Sequence, residues 1–199
     1  MNYKQKLNKI LNEETYTSED TIGDDNIFIC GVESVQKINK CLSKIDKQIL
    51  VIYLDSSSTN EETFKIISRF HTLEVLSLRN ANTTDEELQY LPRLESLKML
   101  DLIGTKVTDK GLQYLTTLPS LVTLLLNNIK ITDNGIKHLQ LLPNLETLSI
   151  NNTNITDKTI KYIQQLKNLT TLSIDNTNIT DEGIKYLKET MPKLDIWGK

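Results

Sequence analysis

The stretch LSINNTNITDKTIKYI (148–163) returns as LSIDNTNITDEGIKYL (172–187), shifted by 24 residues and changed at four of its sixteen positions. The same period runs through most of the chain. Ile49, Leu73, Leu97, Leu121, Leu145 and Leu169 stand 24 residues apart. Each is followed by further apolar anchors, so that Leu97, Leu100 and Leu102 match Leu121, Leu124 and Leu126, then Leu145, Leu148 and Ile150, then Leu169, Leu172 and Ile174. Downstream come TKVTDKGL (105–112), IKITDNGI (129–136), TNITDKTI (153–160) and TNITDEGI (177–184), and the units close on apolar pairs such as Leu115 with Leu118 and Leu139 with Leu142. A fixed period of this length is the mark of stacked supersecondary units.

The physics of one unit explains the repetition. The last two anchors of each strand motif alternate, as a strand with one buried face requires. Thr108, Thr132, Thr156 and Thr180 sit where a helix would start, each followed by an aspartate suited to the positive end of the helix. TDEE (84–87) has capping-box spacing. Leu112, Leu115 and Leu118 then recur at three-residue intervals along one helix face. A single strand–helix unit cannot bury enough apolar surface to offset its ordering entropy, so the units must stack.

These motifs resemble the leucine-rich repeat family, with L-x-x-L-x-L as the strand signature. The T-D-x-G-I/L opening is similar to the repeats of bacterial leucine-rich-repeat proteins and of ubiquitin-ligase receptors. The resemblance covers about residues 49–197. It implies an α/β fold: a leucine-rich-repeat solenoid, a right-handed β-α superhelix with a parallel concave sheet and convex helices. The position that often holds Asn or Cys in the family holds Thr105, Thr153 and Thr177 here, and Ser57, Ala81 and Ile129 in other units.

The expected organisation is an N-terminal helix and acidic linker (1–26), an N-terminal cap or degenerate repeat (27–48), and six repeats at 49–72, 73–96, 97–120, 121–144, 145–168 and 169–193, closed by a C-terminal strand (194–199). Leu7, Ile10 and Leu11 give the first segment an apolar side; Val35, Ile38, Leu42 and Ile45 do so for the cap. Leu194 follows Leu169 after 25 residues, and Trp197 is expected to plug the last repeat. The other reading has the final strand pairing with another chain.

Composition narrows the function. The 199 residues are 38% hydrophobic and 25% charged with a net charge of −3, which fits a folded soluble domain and disfavours a phosphate-binding surface. No apolar run is long enough for a signal peptide or a membrane span, so a cytoplasmic monomer is expected, with no membrane or nucleic-acid partner. Cys30 and Cys41 suit a reducing compartment, where a disulfide between them would not persist. Nucleotide-loop and zinc-protease motifs are absent. His71 and His138 lack neighbouring ligands in the repeat pattern, and Asp85, Asp109, Asp133, Asp157 and Asp181 have a sufficient role as helix-start residues. No cofactor, metal or catalytic residue is therefore expected. The nearest approach to a catalytic set, Asp101 with Ser77 and Arg79, has no histidine or cysteine on its face.

The side chains between the strand anchors face the hollow of the solenoid, where structure demands least of them. In the first four rows these include Leu50, Val51, Tyr53, Val75, Arg79, Lys98, Met99, Asp101, Ile103, Val122 and Leu125, whereas the last two rows carry no such apolar residue. Contiguous exposed apolar surface usually marks an interface. The sequence thus predicts a non-catalytic module that binds a protein partner on the N-terminal half of the concave sheet. The resemblance implies roles such as a microbial effector or regulatory adaptor. Alternatives are a scaffold or homo-oligomer joined through the C-terminal edge, or residues 1–24 folded back over the patch.

Overall fold

The structure, a computed structural model, describes residues 27–29, 35–43 and 50–198. The readings of residues 1–26, Cys30 and Ile45 fall outside the described residues. Among the described residues eight strands form one parallel sheet in chain order: β1 (Ile27–Ile29), β2 (Val51–Tyr53), β3 (Val75–Ser77), β4 (Met99–Asp101), β5 (Thr123–Leu125), β6 (Thr147–Ser149), β7 (Thr171–Ser173) and β8 (Asp195–Trp197). Every register is 24 residues, from Ile27 opposite Val51 to Thr171 opposite Asp195. Strand, turn, helix and return loop repeat as one solenoid.

The core is a set of columns. Ile52, Leu76, Leu100, Leu124, Leu148 and Leu172 fill the strand column; Leu54, Leu78, Leu102, Leu126, Ile150 and Ile174 fill the next. Leu88, Leu112, Ile136 and Ile160 meet them from the helical side, and all of these are buried. Each strand is only three residues long because the chain must turn away at once. At the turn, Ser56, Asn80, Asn128, Asn152 and Asn176 adopt positive φ of 52–58°, with Gly104 at +67° in the same column. Asn and Gly tolerate this left-handed conformation best. A Cβ on Gly104 would also collide with Asn80 Oδ1.

The helices vary although the repeat does not. The helices begin at Asp109 and Asp133 as α-helix, capped by the hydroxyls of Thr108 and Thr132. Thr156 caps a 3₁₀ turn, Asp157–Thr159, that opens helix Ile160–Ile163, and Thr180 caps Asp181–Thr190. Glu87–Arg93 is 3₁₀ throughout and contains Pro92, which has no N–H to give an α-helix. There the capping box is only half formed. The Glu87 carboxylate accepts from Thr84 N (2.8 Å) and Thr84 Oγ1 (2.7 Å), so the hydroxyl faces the carboxylate and caps no amide.

The helix-start aspartates do more than the sequence indicated. Asp85, Asp109, Asp133 and Asp157 each accept from the backbone N and the hydroxyl of the threonine 23 residues on, at 2.6–2.8 Å. Each carboxylate thus fastens one repeat to the next.

Trp197 is not a plug. The 24-residue register sets Ile196 opposite Leu172 and Trp197 opposite Ser173. Strand alternation therefore turns Trp197 to the concave side, 60% exposed, with its indole N–H donating to Asp195 at 2.9 Å. The extra residue of this unit is absorbed before β8. Among the described residues no helix is long and apolar enough to cross a membrane, and no His, Cys, Asp or Glu group has a metal-binding arrangement.

Candidate interaction face

Two side-chain files run along the concave face. One occupies the last residue of each strand from β2 to β8: Tyr53, Ser77, Asp101, Leu125, Ser149, Ser173 and Trp197. The other lies two residues later: Asp55, Arg79, Ile103, Asn127, Asn151 and Asp175. The second file of one repeat meets the first file of the next. Asn127 Oδ1 accepts from Ser149 Oγ (2.7 Å) and Asn151 N (2.8 Å). Asn151 Oδ1 accepts from Ser173 Oγ (2.9 Å) and Asp175 N (2.7 Å). Asp55 Oδ1 plays the same part at the other end, accepting from Ser77 Oγ and from Arg79 N at 3.0 Å.

Between these ends the ladder changes chemistry. Arg79 cannot accept a hydrogen bond, so it donates to Asp101 Oδ2 through Nε (3.1 Å) and Nη2 (2.8 Å). Asp101 Oδ1 then accepts from Ile103 N at 2.9 Å, the amide that the previous repeat would otherwise hold. The next step pairs Ile103 with Leu125, which have no hydrogen-bonding side chain at all. The ladder stops there and resumes at Asn127.

Burial separates the predicted residues into two groups. Leu50, Val51, Tyr53, Arg79, Lys98, Ile103, Val122 and Leu125 are half-buried and reach the surface. Val75 and Met99 are each 2% exposed and Asp101 1%, so the expectation that these three are open to solvent is corrected. Val75 and Met99 are register neighbours in adjacent strands. Their flanking charges are paired too: Lys98 Nζ lies 2.7 Å from Glu74 Oε1. The catalytic set dissolves as well, since Asp101 is committed to Arg79 and Ile103 and Ser77 to Asp55.

Electrostatics follow from this burial. Desolvation pushes the Asp55 carboxyl above its ordinary range, against the lowering pull of the Ser77 hydroxyl, the Arg79 amide and the Arg79 charge. Asp101 is raised for the same first reason, opposed by the Ile103 amide and the Arg79 guanidinium. Both carboxylates are harder to ionise folded than unfolded.

The convex side is organised differently. Tyr90, Tyr114 and Tyr162 lean on the core, and Tyr90 donates to Glu61 Oε1 at 2.5 Å. His71 Nδ1 lies 3.3 Å from the Arg93 carbonyl.

A solenoid of parallel strands with leucine columns and an asparagine turn defines a repeat protein of the α/β class. The chain is a leucine-rich repeat protein: a Leucine Rich repeat model matches residues 165–188. No curated protein sequence matches the chain. Among solved structures it is similar to internalin C2 from Listeria monocytogenes str. 4b F2365, at 25% identity and a TM-score of 0.66, over 86% of this chain and 69% of that one. It is similar in fold to internalin F of the same strain, with 20% identity, a TM-score of 0.55 and coverage of 80% and 49%. It is also similar in fold to TLR13 in a complex with ssRNA13, with 23% identity, a TM-score of 0.61 and coverage of 82% and 23%. The chain thus spans about half of internalin F and under a quarter of the TLR13 chain.

Proposed function

We propose that this chain is a non-catalytic protein-interaction module that docks one protein partner on the N-terminal half of its concave sheet. One observation carries the proposal. Ile103, Val122 and Leu125 are half-buried apolar side chains at concave positions whose counterparts in the next two repeats are Asn127, Asn151, Glu146, Thr170, Ser149 and Ser173. A solvated sheet face gains nothing from that substitution, whereas a partner that covers those side chains does. Leu50, Val51 and Tyr53 extend the same surface toward β2. The repeat fold supports the reading because it presents a rigid curved surface with few structural demands on its outward residues. A nucleic-acid partner is disfavoured. Over the six concave rows Asp55, Glu74, Asp101, Glu146 and Asp175 outnumber Arg79 and Lys98, and phosphate recognition needs the opposite balance.

The test is affinity purification of partners on the native chain and on two variants, with thermal unfolding measured in parallel. Ile103→Asp with Leu125→Asp should lose the partner while unfolding stays nearly unchanged. Thr147→Asp with Ser173→Asp should keep it. Retention by the first variant would refute this placement.

A further inference from the structure

We infer that the partner presents a cationic side chain, arginine or lysine, to Asp55 Oδ2, and apolar groups to Ile103 and Leu125, two and three strands away. The inference rests on the proposed concave docking site and names the chemistry of what occupies it. Strand spacing puts the apolar contacts about 10–14 Å from Asp55 along the sheet.

Asp55, Asn127 and Asn151 occupy equivalent positions and accept equivalent donors through Oδ1 alone: a serine hydroxyl and a backbone N–H of the following repeat. An asparagine therefore suffices for the structural task. Replacing its amide by a second carboxylate oxygen adds a negative charge that burial penalises. The ladder bonds use only the other oxygen: Asp55 accepts from Ser77 and Arg79 at Oδ1, and among the described residues Oδ2 makes no hydrogen bond.

Charge pairing on the front rows points the same way. Arg79 is bonded to Asp101 at 2.8 Å and Lys98 to Glu74 at 2.7 Å. Both cations already hold a carboxylate. Asp55 is the remaining acidic group of those rows, and the Arg79 guanidinium that acts on it is committed elsewhere. A cation from outside would complete the balance, with the bond strengthened by the partly desolvated setting. Asp175, in the same file, is exposed.

The inference is tested by panning a random phage-displayed peptide library on the immobilised full chain and measuring the enriched peptides against variants. Enriched peptides should combine Arg or Lys with apolar residues. They should bind Asp55→Asn at least tenfold more weakly and Asp175→Asn as well as the native chain. Asp55→Asn should unfold at or above the native temperature, since its bonds to Ser77 and Arg79 have precedents at Asn127 and Asn151; a drop of several degrees would overturn that premise. Peptides without basic residues, or equal binding to Asp55→Asn, would overturn the cationic contact. If that binding is nonetheless lost with Ile103→Asp and Leu125→Asp, the docking face itself stands. Binding indifferent to all of these substitutions, or no enrichment at all, would overturn both.

Discussion

The two halves of the concave sheet share one backbone and differ in what their side chains do. In β5 to β7 the ladder is neutral: Asn127 and Asn151 hold Ser149, Ser173 and the adjoining amides. In β2 to β4 the same positions carry Asp55, Arg79 and Asp101, two of them carboxylates driven toward protonation by burial. At the junction, Ile103 and Leu125 carry no polar group. The back half is what the scaffold needs. The front half departs from it, and departures of that kind concentrate where a surface is used.

The largest expected effect tests the charged half. Arg79→Ala strands the Asp101 carboxylate, whose side chain is 2% exposed. Arg79 is itself 38% exposed, so the loss should fall below the about 3–5 kcal/mol of a fully buried pair but stay above that of a neutral ladder bond, to be read by chemical denaturation; a loss below about 1 kcal/mol would show that water reaches Asp101 and that the two halves are energetically alike. Asn127→Ala should come next. It leaves the Ser149 hydroxyl and the Asn151 amide without their acceptor, a cost of about 1–3 kcal/mol. An effect as large as that of Arg79→Ala would erase the distinction between neutral and charged ladders.

The smallest effect has the clearest sign. A carboxyl whose folded-state pKa is raised binds protons more readily folded than unfolded, so its contribution to stability is most favourable in acid. That contribution is lost as pH rises from the ordinary carboxylate range through the raised value. Asp55→Asn removes the loss. It should therefore stabilise the protein at neutral pH by less than about 1 kcal/mol, with the gain shrinking as pH falls below that window. Melting temperatures of both proteins across acid and neutral pH would show it. A gain that grows in acid would mean that Asp55 is held ionised by its neighbours.

Much of the fold was legible because the period was. Leu97, Leu100 and Leu102 and their copies specified strand position, buried face and register, and Thr108, Thr132, Thr156 and Thr180 marked helix starts that the structure keeps. The pattern could not give the depth of a concave side chain. Val75 and Met99 occupy outward positions yet are buried, because closeness across neighbouring strands is not written in either repeat alone. Trp197 was misplaced by one residue. Spacing to Leu194 suggested the inward column, whereas the register placed Ile196 there and turned the indole outward. The aspartates after each threonine were read as helix-end charges. Their bonds to the next repeat join residues 23 apart, a relation visible in sequence only to a reader who already knows how the units stack.

The sequence by itself determined a stacked repeat of fixed length, the columns that fill its core and the threonines that start its helices. These follow from local propensity and periodicity, which act within one unit. Tertiary structure alone decided which outward residues stay open, which carboxylates lose water and where the polar ladder breaks. Those properties arise between units, from the approach of side chains that the sequence keeps apart and only stacking brings together.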